Sequence, residues 1–422
     1  MSVESVSPTT NPARRFPSEF VYFDIKDKPF AAALTKRLTT LAGVDVTLDD
    51  DLAAAMGRSL DTGDRLGDAW YEDARSRGSV RRAREEFTTA LERGVEAVED
   101  PSPALIALFD QINSEPEWLD WDLLDRGARV FRRYGKELYP YFGMATFSGY
   151  RTPSVTRPLI LTGAYTGNSA LNRFWETCKH WTDTSEPGGM LRGNPGYLTS
   201  LRVRLLHCMI RSRIIGHAEW DRARFGVPIS QFNMFSTLMA GSVIAGHDLR
   251  RLGYRTSDDD IVALMHLQRY IGHVMGVEPP WYPETAEDGY RAMRLIALAQ
   301  RTQDDDDSRA LCWSFMDTYK PNADAAGWRR LVAELNYRAQ LGHAYFYTPS
   351  SYTKSGFPTV GWWRYAPLAR FVPNFVRDTA CQHVPVVARW VDDRHRAWRR
   401  AENARTLGTG RGSFSPVETL SR

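Results

Sequence analysis

The sequence predicts an all-α protein, and three observations carry that prediction. Apolar residues return about every three to four positions through most segments from residue 50 onward. Strictly alternating stretches, which would make half-buried strands, are scarce. The gaps between periodic segments are filled with Pro, Gly and acidic clusters. With 43% hydrophobic and 25% charged residues over 422 positions, the chain can bury a sizeable core.

Residues 1–18, rich in Ser, Thr and Pro, are expected to form a disordered leader. They lack the apolar run of a secretory signal. The first helical patterns are DLAAAMGRSL and VRRAREEFTTALERGVEAVED. SPALIALFDQINSE follows, where Ser102 can cap and Pro103 opens the first turn. WLDWDLLDRGARVFRRYGKELYPYFG, IVALMHLQRYIGHVMG, DGYRAMRLIALAQ and AGWRRLVAELNYRAQLGHAYF continue the pattern. RTPSVTRP, SEPGGMLRGNPG, YRTSDDDI, EPPWYPETAED and RTQDDDDSR read as loops, and the acidic runs at 258–260 and 304–307 as solvated turns or helix starts. Residues 226–247 contain no Asp, Glu, Lys or Arg, yet their Pro, Gln, Asn, Ser and Gly content suits a buried helix better than a transmembrane span.

These segments make one large helical domain over 19–345. An aromatic and basic arm at 346–404 packs on it, and residues 405–422, rich in Gly, Ser and Thr, form a disordered tail. The arm mixes Trp, Tyr, Phe and Arg with Pro, which leaves peripheral membrane contact open. A net charge of +3 gives no reason to invoke nucleic acid. The four cysteines, Cys178, Cys208, Cys312 and Cys381, are far apart and read as reduced thiols, which with the missing secretory signal points to a cytoplasmic setting; a monomer is expected. No GxSxG or phosphate-cradling loop opens a helix.

The helix LRVRLLHCMIRSR, residues 201–213, carries one histidine between two arginines. With His207 at zero on a helical wheel, Arg204 falls near about +60° and Arg211 near about +40°, while Val203, Ile210 and Ile214 lie between about −20° and −60°. The imidazole therefore sits on a seam between an apolar side and a doubly cationic one. A planar, greasy cofactor bearing carboxylates matches such a seam, and haem has that shape. A lone helical histidine is more often a satisfied core or surface residue. Upstream, LNRFWETCKHW sets Arg173, Glu176, Thr177 and His180 at i, i+3, i+4 and i+7 on one stripe. That stripe can simply face solvent, with Phe174, Trp175 and Cys178 turned inward. If it faces His207 across a cavity, Arg173 can bind a carboxylate, Thr177 can donate to an oxygen and Glu176 can move protons.

The order Arg173, Thr177, His207, with Arg204 and Arg211 around the last, resembles the haem-binding core of the MpaB and latex clearing protein (rubber oxygenase) family. GDAWYEDA, TTALERGVEAVEDPSPAL, PEWLDWDLLDRG, GVPISQFNMFSTL and LRRLG extend the likeness over roughly 55–345. The resemblance implies a globin-like helical core holding one haem b, with His207 as the proximal iron ligand. It implies that Arg204 and Arg211 pair with propionates or shape the pocket, and that Arg173, Thr177 and Arg338 belong to the same site. It also implies cleavage of carbon–carbon double bonds in a hydrophobic, isoprenoid-like molecule with molecular oxygen as cosubstrate, and leaves room for an electron donor. Rubber-cleaving members have a lysine where this chain has Glu176 and a glutamate upstream, whereas no acid occurs here between Arg151 and Asn172. Glu176 then becomes the candidate base.

Two other readings use the same residues. Glu176, His180 and His207 could make a two-histidine, one-carboxylate site for non-haem iron. Alternatively, the helices could bind haem or a lipid without turnover. His217, His266 and His273 read as packing or capping residues, and Gln231 as a buried group steadying a helix start.

Overall fold

A computed structural model describes residues 16–44, 46–47, 49–163 and 168–407. Most of the expected leader, 1–15, and the tail from 408 lie outside the described residues. Ser18 donates its backbone N–H to Ala223 O at 3.0 Å, so the described chain is already docked there.

The helices that matter for the site are α1 (Pro29–Ala42), α2 (Asp50–Arg58), α3 (Arg65–Arg77), α4 (Val80–Arg93), α5 (Pro103–Asn113), α6 (Trp121–Arg133), α7 (Leu138–Gly149), α8 (Pro153–Leu161), α9 (Asn168–Ser185) and α10 (Pro195–Ile214). They continue with α11 (Gln231–Met239), α12 (Ala245–Leu249), α13 (Asp258–Val274), α14 (Ala286–Ala299), α15 (Asp306–Asp317), α16 (Gly327–Tyr347) and α17 (Pro349–Lys354). A 3-10 segment, Gly361–Arg370, leads into α18 (Phe371–His383) and α19 (Pro385–Leu407). Among the described residues no strand forms, and one isolated antiparallel bridge joins Phe20 to Gln300. The fold is all-α, as the periodicity predicts.

Local chemistry sets the helix starts. Ser102 accepts from the Leu105 N–H at 3.2 Å, and Pro103 occupies the first turn, where its missing donor costs nothing. Both acidic runs open helices. Ser257 and Asp260 form a reciprocal capping box on α13, and Asp305 caps α15 through the Ser308 N–H at 2.8 Å.

RTPSVTRP, read as a loop, instead folds into α8. Pro153 takes the first helical position, and Pro158 forfeits one internal bond. Ser154, Thr156, Ile160 and Leu161 are nonetheless buried along that helix, and their packing outweighs the lost bond. The uncharged stretch at 226–247 is buried helix, interrupted by a π turn at Ala240–Ile244 between α11 and α12. Helix α19 continues through Leu407, beyond the expected end of the arm at 404.

One apolar core gathers around Trp70, Phe131, Tyr134, Tyr141 and Phe147. A second forms around Phe232, Phe235, Tyr290 and Leu295. Helices α6 and α13 cross closely at Gly127, where an added Cβ would lie 2.1 Å from the Ala263 carbonyl oxygen. Helix α10 packs against α9, α3 and α13, which places His207 inside the bundle. No helix among the described residues is long and apolar enough to cross a membrane.

Candidate functional site

Helix α10 is anchored by its two arginines, and each anchor is a carboxylate on α3 or just before it. Arg204, only 2% exposed, donates from Nε to Asp64 Oδ2 at 2.6 Å and from Nη2 to Asp64 Oδ1 at 2.9 Å. Its Nη1 reaches Gln111 Oε1 at 2.7 Å and Val274 O at 3.3 Å. Asp64 also caps α3 by accepting from the Gly67 N–H at 3.0 Å.

Arg211 contacts Asp68 through Nη1. It also donates to Pro228 O at 3.0 Å and Ile229 O at 3.1 Å. Ile229 sits at φ 51°, a left-handed conformation that β-branched residues rarely adopt, so Arg211 braces a strained turn. Burial raises the Asp68 carboxyl pKa, against the opposing pull of Arg211.

Between these anchors stands His207. Its Nδ1 is sealed from solvent and has no hydrogen-bond partner, while the residue as a whole is part-buried. Burial, reinforced by the charge of Arg211, pushes its pKa down to about 3. His180 on α9 is in the same condition: Nδ1 is sealed and unpartnered, and burial pushes the pKa down to about 4. The two rings lie within electrostatic reach of one another. Both imidazoles are therefore neutral near pH 7, the form that binds a metal ion.

The upstream stripe is not a solvent face. Glu176 is 7% exposed, and its Oε2 accepts from Arg173 Nη1 at 3.0 Å. Thr177 spends its hydroxyl proton on Arg173 O at 3.0 Å. Phe174 and Cys178 are buried on the other side of α9, so the helix is enclosed around most of its circumference.

The structure thus brings His180 and His207 together and pairs Arg173 with Glu176. It commits Arg204 and Arg211 to protein carboxylates. Arg338 stands apart on the exposed half of α16, paired with Glu334 at 3.0 Å. Among the described residues no group of three or more His, Cys, Asp or Glu converges to hold a metal ion, so Glu176, His180 and His207 do not form a three-ligand cluster. His266 accepts from the Asp120 N–H at 3.0 Å, and His273 contacts Glu278. Gln231 bridges Gly63 O, Gly276 O and the Glu278 N–H.

Sequence reasoning passed over Asp64, Asp68 and Gln111. Their one sequence signal is indirect: an arginine in a buried helix demands a buried acceptor, and DTGDRLGD offers three acids, Asp61, Asp64 and Asp68, at the mouth of a helix.

The catalytic-domain family described as ER-bound oxygenase mpaB/B'/rubber oxygenase matches residues 142–372, more than half of the chain. Among solved structures, latex clearing protein in its closed state superposes with a TM-score of 0.57 at 16% identity, covering 85% of this chain and 93% of that one. At that identity the likeness is one of fold. No curated protein matches the sequence.

Proposed function

The chain belongs to the ER-bound oxygenase mpaB/B'/rubber oxygenase catalytic-domain family, and from that premise we propose that it is a haem b-dependent oxygenase acting with dioxygen on a hydrophobic, unsaturated small molecule. Membership makes it an oxygenase of this family; the cofactor, ligand and substrate are the proposal.

One observation carries it. His207 is an imidazole inside the helical bundle, held neutral, with its Nδ1 sealed and without a hydrogen-bond partner. A neutral nitrogen donor in a dry site fits haem iron. Bound there, haem would supply the iron chemistry that activates dioxygen.

The protein's own residues do the rest. Asp64 and Asp68 hold Arg204 and Arg211, so of the two roles the resemblance offers these arginines, shaping the pocket accounts for their contacts. Glu176, buried against Arg173, would take or return a proton at its carboxylate. Thr177 is locked to its own helix and fixes the local backbone. An electron donor and a cytoplasmic setting belong to the same reading.

Expression with haem supplementation, followed by absorbance of the wild type and His207→Ala, tests the assignment. A strong Soret band that weakens or shifts in the variant supports it; a colourless wild type, or a spectrum unmoved by the substitution, overturns it.

A further inference from the structure

Of 19 large apolar side chains exposed among the described residues, 15 fall between Trp328 and Trp398, so exposure is concentrated in the last part of the chain. They form stripes. In the 3-10 segment Gly361–Arg370, Trp362, Tyr365 and Leu368 recur every third residue and line up on one side, as that helix type requires. Apolar exposure carries on into α18, where Phe371, Val372, Phe375 and Val376 are all exposed. Trp362 is 86% exposed and Val372 66%. At about 2.0 Å per residue in the 3-10 segment and about 1.5 Å in α18, the exposed run from Trp362 to Val376 is roughly 25 Å long. A second stripe, Trp328, Leu331, Val332 and Leu335, lies on α16, which packs along the 3-10 segment. Apolar surface this extensive is uncommon on a free monomer and marks a contact face.

Charge identifies the occupant. Between residues 361 and 377 there are three arginines and no acid. Arg370 is paired with Glu137, Lys354 with Asp304 at 3.1 Å and Arg396 with Glu186 at 2.8 Å, while Arg329, Arg330 and Arg364 stand exposed beside the two stripes. Arg364 lies over the ring of Tyr365 at 4.8 Å, so the cation stands at the edge of the stripe. A second copy would bring the same positive border against itself. Trp and Tyr flanked by Arg match the interfacial zone of a bilayer, and the exposed arginines match anionic headgroups.

We propose that the face formed by the 3-10 segment and α18, with the outer stripe of α16 beside it, docks on an anionic lipid surface. The contact is peripheral, with the apolar stripe entering the headgroup boundary and the arginines meeting lipid phosphate and carboxylate. This inference stands apart from the haem assignment and survives its failure.

Flotation of the full-length protein with vesicles of phosphatidylcholine alone, or mixed with phosphatidylserine, tests it. The wild type is expected to rise with the mixed vesicles, to rise much less with phosphatidylcholine, and to be released by added salt. The double variant Val372→Glu, Val376→Glu places two anions in the stripe and should lose binding by on the order of a hundredfold with an unchanged thermal transition. If that variant is destabilised, Trp362→Ala, at the most exposed position of the stripe, should still weaken binding. Wild-type protein that stays at the bottom with phosphatidylserine vesicles overturns the proposal. So does a dimer in size-exclusion chromatography that the glutamates split without any vesicle binding, which would assign the face to a second copy.

Discussion

Arg204 and Asp64 meet as a two-pronged ion pair inside the protein, Nε to Oδ2 at 2.6 Å and Nη2 to Oδ1 at 2.9 Å, with both side chains almost wholly enclosed. The pair joins the middle of α10, one turn before His207, to the cap of α3. Charges this deep lose their hydration, so neither tolerates the loss of its partner.

Asp64→Asn isolates that effect. Asparagine still caps a helix, so α3 keeps its start while Arg204 is left as an uncompensated buried cation. We expect a loss of about 3–5 kcal/mol of unfolding free energy, measured by urea denaturation of the protein without cofactor. A loss below about 1 kcal/mol would mean that Arg204 finds water when released.

The crossing of α6 and α13 makes a second, purely steric test. A methyl group on Gly127 would approach the Ala263 carbonyl oxygen to 2.1 Å and Leu267 Cβ to 3.0 Å. Helix backbone cannot step aside as a flexible side chain can, so the two helices must separate. Gly127→Ala should cost about 1–3 kcal/mol or more, despite the better helix propensity of alanine. Thermal unfolding reads the change, and an unshifted midpoint would show that the crossing is looser than described.

How much of this was legible in the sequence follows from the range of each interaction. Ser102 with Pro103, and the acidic runs before α13 and α15, act within a few residues, so both helix class and helix starts could be read directly. The seam at His207 was legible because one helix carries it. The acids at 64 and 68 lie about 140 residues from their arginines, and no periodicity links such positions. Arg204 and Arg211 therefore looked free for a ligand. RTPSVTRP was misread because two prolines signal a loop unless the first opens a helix and the burial of its neighbours outweighs the second. Exposure of Arg338 depends on how far α16 projects from the body, which its own sequence does not encode.

The two buried imidazoles give the protein without cofactor a specific response to acid. The pKa of His207 falls to about 3 in the fold and that of His180 to about 4, each from an ordinary 6.5, mainly through burial. Well above 6.5 both are neutral whether folded or unfolded and contribute no pH slope. As pH falls below that value the unfolded chain takes up protons that the folded chain refuses, so stability declines toward the folded pKa values. Denaturation followed at pH 7, 6 and 5 should show this decline, and His207→Gln should make it shallower by up to about one proton. An unchanged slope in the variant would mean that position 207 is hydrated.

Glu176 is the remaining test, and it separates proton handling from cofactor binding. The carboxylate is buried against Arg173 but is not part of the anchors that hold α10. Glu176→Gln keeps the shape and a hydrogen-bond acceptor while removing the proton-accepting charge. If Glu176 moves the substrate's proton, the variant should retain its Soret band, while oxygen consumption with an isoprenoid alkene drops by about 10²–10⁴. Loss of the band together with activity would make Glu176 a structural support of the pocket through Arg173. Full activity would remove it from the chemistry, leaving dioxygen to attack the double bond without a protein base.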